Sequence, residues 1–302
     1  MSGLISTDAD LSRVINFDDY GALFELARNS LIAGIAVALI AGLMSPFVMN
    51  RELPFAVHGI SELSFAGAAG ALLLGTSVVM GSVVGSLLAA LLIGLLGTRA
   101  RDRNSLVGVL MPFGLGLGVL FLALYEGRAA NKFGLLTGQI IAVDDTKLGA
   151  LLTICVIVAA VMAAIWRPLT FASVDPDVAV ARGINVRLLS IVFMLLLGLT
   201  IAAAIQIIGA LLVLALLCTP AAAAMQVSAS ARTITLLSVT FATVSMAGGI
   251  LLALGSEVPI SPYVTTLSFA IWGVCRVLGA RRTRRGWAPR PTASIAPAAV
   301  GT

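Results

Sequence analysis

Charge is what this chain has least of. Of its 302 residues, only 11% are Asp, Glu, Lys or Arg, against roughly 25% in a soluble domain. That excludes an ordinary water-soluble fold. Histidine occurs once, at His58. The three cysteines, Cys155, Cys218 and Cys275, form no CxxC pair and lie inside apolar runs. They read as small buried apolar residues, not as a zinc or redox centre. A GxxxxGK[ST] phosphate loop, an HExxH helix and a GxSxG elbow are all missing. No constellation of catalytic residues takes their place.

What is present is apolar. Hydrophobic residues make up 59% of the chain, and glycine contributes 30 more positions. The apolar runs reach the ~20 residues that a helix needs to cross a bilayer. They lack the alternation of a membrane barrel, so the expected fold class is all-α and polytopic. The runs predict about nine transmembrane helices: 23–45, 55–75, 77–97, 105–124, 148–166, 187–206, 207–227, 233–254 and 262–279. The expected organisation is an acidic N-terminal segment 1–22, one transmembrane domain 23–280 and a tail 281–302. Asp8, Asp10, Asp18 and Asp19 stand where a signal peptide would be basic, so no cleavable signal is expected.

Basic residues set the orientation. With nine spans, Arg51, the loop carrying Arg99, Arg101 and Arg103, the loop Arg167–Arg187, Arg232 and the basic tail all fall on one side. That side is expected to be cytoplasmic, with the N-terminus outside and the C-terminus inside. The net charge of +5 sits largely in RRTRRGWAPR, residues 281–290, and predicts contact with the lipid bilayer surface, not with nucleic acid. The Pro/Ala-rich stretch after it is expected to be disordered.

Two loops are more than connectors. DPDVAVARG, on the cytoplasmic side, has the marks of a short helix. Asp175 can cap it, Pro176 can open it and Gly183 can end it. Such a helix is either a docking knob for a soluble partner or a plain surface helix. NKFGLLTGQIIAVDDTK, on the outer side, is apolar enough to lie in the interface or re-enter the membrane. Asp144 or Asp145 can cap the helix after it.

Only Glu62, among 14 acidic residues, falls well inside an apolar span. His58 precedes it by one turn, so both share a helix face. Counted from Arg51, the pair lies roughly 10–16 Å along the helix, near the midplane. Ionisable groups at that depth are costly and mark pathways or sites. An imidazole nitrogen with a carboxylate oxygen suits a borderline divalent metal. The same pair could also brace two helices or relay protons.

Four stretches in order, with a fifth at the end, resemble the membrane permease of an ABC importer for manganese, zinc or iron. They are MNRELPFAVHGISELSFAGAAGALLLG, FGLLTGQIIAVDD, DPDVAVARGI, IIGALLVLALLCTPAAAA and the ending SEVPISP. Where the family pairs an aspartate with a histidine four residues later, this chain has His58 and Glu62, acid and imidazole exchanged. The resemblance implies the permease fold of vitamin B12 and siderophore importers, in a prokaryotic cell membrane. It implies a pathway between two copies of the chain, with His58 and Glu62 holding the transported divalent metal and no permanently bound cofactor. It also implies a separate ABC ATPase docked on residues 175–184, among them Asp175, Pro176, Asp177, Ala181 and Gly183. An extracellular metal-binding lipoprotein would deliver the ion. The alternative expectation is a proton-coupled secondary transporter using His58 and Glu62 as a relay. A siderophore or cobalamin cargo and an intramembrane enzyme fit the buried pair less well.

Overall fold

The computed structural model describes residues 20–97, 100–127, 134–138, 143–254, 256 and 259–284. The helices that carry the fold are α1 (Tyr20–Asn50), α2 (Pro54–Leu73), α3 (Val78–Leu96), α4 (Ala100–Leu124), α5 (Asp145–Val174), α6 (Pro176–Ala181), α7 (Val186–Ile208), α8 (Val213–Val227), α9 (Ala231–Ala253) and α10 (Ile260–Arg284). A 3-10 turn, Ala210–Leu212, joins α7 to α8. A single helical turn covers 134–137, and the described residues contain no strand.

Eight of these helices are long and apolar enough to cross a membrane: all but α6 and α8. Helix α8 has 15 residues, about 22 Å of helix, short of a ~30 Å hydrocarbon core. The ninth expected span, 207–227, is therefore this short helix preceded by the 3-10 turn. Other boundaries differ at prolines. Spans expected to stop near 45 and 166 run on through Pro46 to Asn50 and through Pro168 to Val174. Proline removes one helical hydrogen bond, and in a membrane helix neighbouring groups compensate for it. Beside Pro220, the Ala221 amide donates to Ser45 Oγ of α1 at 3.1 Å. The tail expectation also shifts, because α10 continues through Arg284. Residues 285–302, like 1–19, lie outside the described residues.

Helix α2 is the hub. It packs on α3 and α4, and also touches α7 and α8. Helix α1 lies against α9, α8 and α5, while α10 closes on α8 and α9. Without a hydrophobic drive between helices in lipid, close van der Waals contact does the work, and small residues permit it. A side chain on Gly67 would strike the Gly81 carbonyl, and one on Gly85 would strike the Leu63 carbonyl. So α2 and α3 meet backbone to backbone. Ser64 Oγ lies 2.8 Å from Ser82 Oγ across the same contact. Ser82 Oγ reaches on to the Ala202 carbonyl of α7 at 3.4 Å.

The segment GLLTG, residues 134–138, packs into the bundle. Gly138 packs against Ile207 and Ile208, and Gly209 packs against the Leu136 carbonyl and the Gly138 amide. Both glycines have positive φ, +81° and +77°, which other residues rarely adopt. The segment is thereby keyed into the interruption between α7 and α8. Residues 128–133 and 139–142 of this loop lie outside the described residues.

Candidate functional site

Helix α2 starts with Pro54 at its first turn, where the missing amide costs nothing. One turn later comes His58, and one turn after that Glu62. His58 is about a third exposed, at 31% of its side chain, while Glu62 retains only 4%. His58 Nε2 and Glu62 Oε1 are 3.8 Å apart. That is within ion-pair reach but beyond hydrogen-bond range. Glu62 Oε2 is buried without any hydrogen-bond partner. An unpaired buried carboxylate oxygen is rare and calls for a ligand or a function.

The gap fits a metal. With ligand bonds of about 2.1 Å, an ion bridging a 3.8 Å separation subtends an angle of about 130° at the metal. This is open but workable for a flexible first-row ion. Among the described residues no group of three or more His, Cys, Asp or Glu comes together. Within one chain, His58 and Glu62 are the two such groups brought together here.

The surroundings hold this stretch firmly. Gly114 of α4 seats against the main chain at Glu62 and Leu63, and Gly59 receives the Val107 side chain. Ser61 Oγ donates to the Ala210 carbonyl in the 3-10 turn at 2.8 Å. The interruption between α7 and α8 is thus tied to α2 one residue from Glu62. Nothing in the local sequence marks this role of Ser61. Its bond to residue 210 depends on a contact 149 positions away.

The segment DPDVAVARG folds as its caps dictate. Asp175 Oδ1 accepts from the Val178 amide at 3.0 Å, and Pro176 opens α6. Gly183 lies at φ +81°. The Gly183 amide bonds the Val180 carbonyl and the Ile184 amide the Ala179 carbonyl, the Schellman arrangement that ends a helix on glycine. Ala179 is fully buried and anchors α6, while Asp177 and Ala181 are exposed. Val174, Val178 and Val180 are exposed as well, at 81%, 42% and 60%. The result is a short, rigid, partly apolar knob. At the other end of α5, Asp144 caps the helix by accepting from the Lys147 amide at 3.0 Å.

A family model described as the ABC 3 transport family matches residues 23–277. The chain belongs to that family. ABC 3 members are permease subunits of metal importers, so this is a membrane transport protein and not itself an enzyme. The manganese transport system membrane protein MntC of Halalkalibacterium halodurans is 30% identical over 241 residues, 80% of this chain and 82% of that protein. The high-affinity zinc uptake system membrane protein ZnuB of Haemophilus influenzae is 26% identical, over 82% of this chain and 95% of its own length. PsaBC from Streptococcus pneumoniae, solved in complex with a Fab, superposes with a TM-score of 0.76 over 85% of this chain and 94% of that one, at 24% identity. That likeness speaks to the fold, which is the all-α polytopic one expected. Membership of an ABC family sets aside the proton-coupled secondary transporter.

Proposed function

We propose that this ABC 3 permease imports a divalent transition metal ion, Mn²⁺, Zn²⁺ or Fe²⁺, and that His58 and Glu62 hold the ion in transit. The observation that carries the reading is the buried, unpartnered Glu62 Oε2 beside an imidazole at 3.8 Å. Relatives named for manganese and zinc transport support the cargo class. Two copies of the chain would line one pathway and supply two nitrogens and two carboxylates. A borderline ion can be held by that set and still be released, because no single chain closes the coordination shell.

The drive comes from a separate ABC ATPase that docks on α6 and the residues around it, 175–184. Exposed valines on a capped, rigid helix support that role, because such a knob can transmit a push without bending. A metal-binding lipoprotein delivers the ion on the outer side. The N-terminus lies outside and the C-terminus in the cytoplasm of a prokaryotic cell, with α8 and the 3-10 turn before it completing the ninth crossing that puts the basic loops on one side.

Metal uptake in cells tests the reading. Wild type, His58→Ala and Glu62→Ala are compared for Mn²⁺, Zn²⁺ and Fe²⁺, with membrane abundance and ATPase association checked. Both variants are expected to assemble and lose uptake of the same metal. Normal uptake by stably assembled variants would refute the site.

A further inference from the structure

A second cluster of charge lies away from His58 and Glu62. A cavity of about 450 Å³ opens where α2, α3, α4, α5 and α7 end, and Arg51, Arg103 and Arg187 line it together with Asn50, Ser173 and Pro176. Three guanidinium groups thus share one hollow. Among the described residues, none of the three has a carboxylate within ion-pair distance. Arg51 lies over the Phe193 ring at 5.5 Å. Arg103 Nη2 donates to the main-chain carbonyls of Arg51, at 3.3 Å, and Glu52, at 3.2 Å. The Arg103 Nε is buried with no partner at all. Glu52 contributes its carbonyl here, while the residue itself is exposed.

Unpaired cations held close in a partly buried hollow repel one another and lose hydration. Burial first, and the Arg103 charge second, push Arg51 below its ordinary range. The Glu52 charge offsets part of this at Arg103, and a bound anion would offset more. The place of the cavity says which kind. It lies where several membrane spans end, at the level of phospholipid headgroups, and a basic pocket there suits an anionic lipid headgroup.

We infer that this cavity binds the phosphate headgroup of an anionic inner-leaflet lipid, with Arg51, Arg103 and Arg187 around the phosphate. Placement in the inner leaflet rests on the proposed orientation; the lipid site itself does not.

Native mass spectrometry of the full chain, purified in mild detergent and offered equal amounts of phosphatidylglycerol and phosphatidylcholine, tests it. Wild type is expected to retain one phosphatidylglycerol per chain. Arg51→Gln and Arg187→Gln are each expected to weaken retention about five-fold, with unfolding temperatures unchanged. Because Arg187 is exposed, its variant folds even if Arg51→Gln does not. Equal retention of both lipids, or unchanged retention in a folded Arg187→Gln, overturns the site. Displacement by excess inorganic phosphate reassigns it to a free anion, and displacement by added ATPase reassigns it to protein docking. Either result overturns the lipid proposal. Sidedness is read separately. Arg187→Cys is expected to react with an impermeant thiol reagent in inverted vesicles but not in intact cells. The reverse result would sink the orientation and leave the mass-spectrometric result standing.

Discussion

Gly209→Ala tests the interruption between α7 and α8. Gly209 sits at φ 77°, ψ 167°, a region open essentially to glycine alone, and an alanine there costs about 1–3 kcal/mol. Its new methyl group would also strike the Leu136 carbonyl and the Gly138 amide. Both are backbone atoms that no rotamer change can move, and forced overpacking adds about 1–3 kcal/mol. The expected loss is therefore about 2–6 kcal/mol. At about 2–4 °C per kcal/mol for chains of 150–250 residues, the unfolding temperature in detergent falls by roughly 4 °C or more. Gly116→Ala is the matched control. A methyl group there meets nothing within 4 Å, so the change is neutral or gains up to ~1 kcal/mol. If the two variants unfold within a degree of each other, the outer segment is not keyed into the interruption and the reasoning fails.

Two further outcomes follow from contacts already described. Gly81→Leu drives a side chain into the Gly67 carbonyl and Ala71, so it is expected to force α2 and α3 apart and abolish assembly, read as lost membrane abundance, whereas Gly149→Leu, with open space around it, is tolerated. Asp175→Ala removes the cap on α6 at a cost of about 0.5–2 kcal/mol, so co-purification of the ATPase is expected to weaken while the unfolding temperature of the membrane bundle stays put; unaltered ATPase recovery would argue against docking on this helix.

Local chemistry was legible in the chain and tertiary contact was not. The caps at Asp144, Asp175 and Gly183 fall where backbone demands alone place them. The burial of Glu62 follows from an acid within an apolar run. Proline misled at two span ends, because Pro46 and Pro168 break helices in water more readily than in a packed bundle. The 3-10 turn at Ala210–Leu212 was invisible in IIGALLVLAL, a run with no polar residue. Leu136 and Gly138, some 70 positions earlier, and Ser61, 149 positions earlier, hold the break in place. The arginine cavity was equally hidden, since Arg51, Arg103 and Arg187 belong to three different loops and helices.

The backbone contact between α2 and α3 bears on how the protein is made. Helix α2 is the least apolar of the eight long helices, because it carries His58, Ser61, Glu62 and Ser64. A carboxylate at the centre of a lone inserting helix costs about 2.5–3.5 kcal/mol, which opposes its release into lipid. Only four residues separate α2 from α3, and the glycine and serine contacts between them are available as soon as both have been synthesised. The two helices are therefore expected to enter the bilayer as a hairpin, joined at Gly67, Gly85 and the Ser64–Ser82 contact, so that α2 does not have to insert alone.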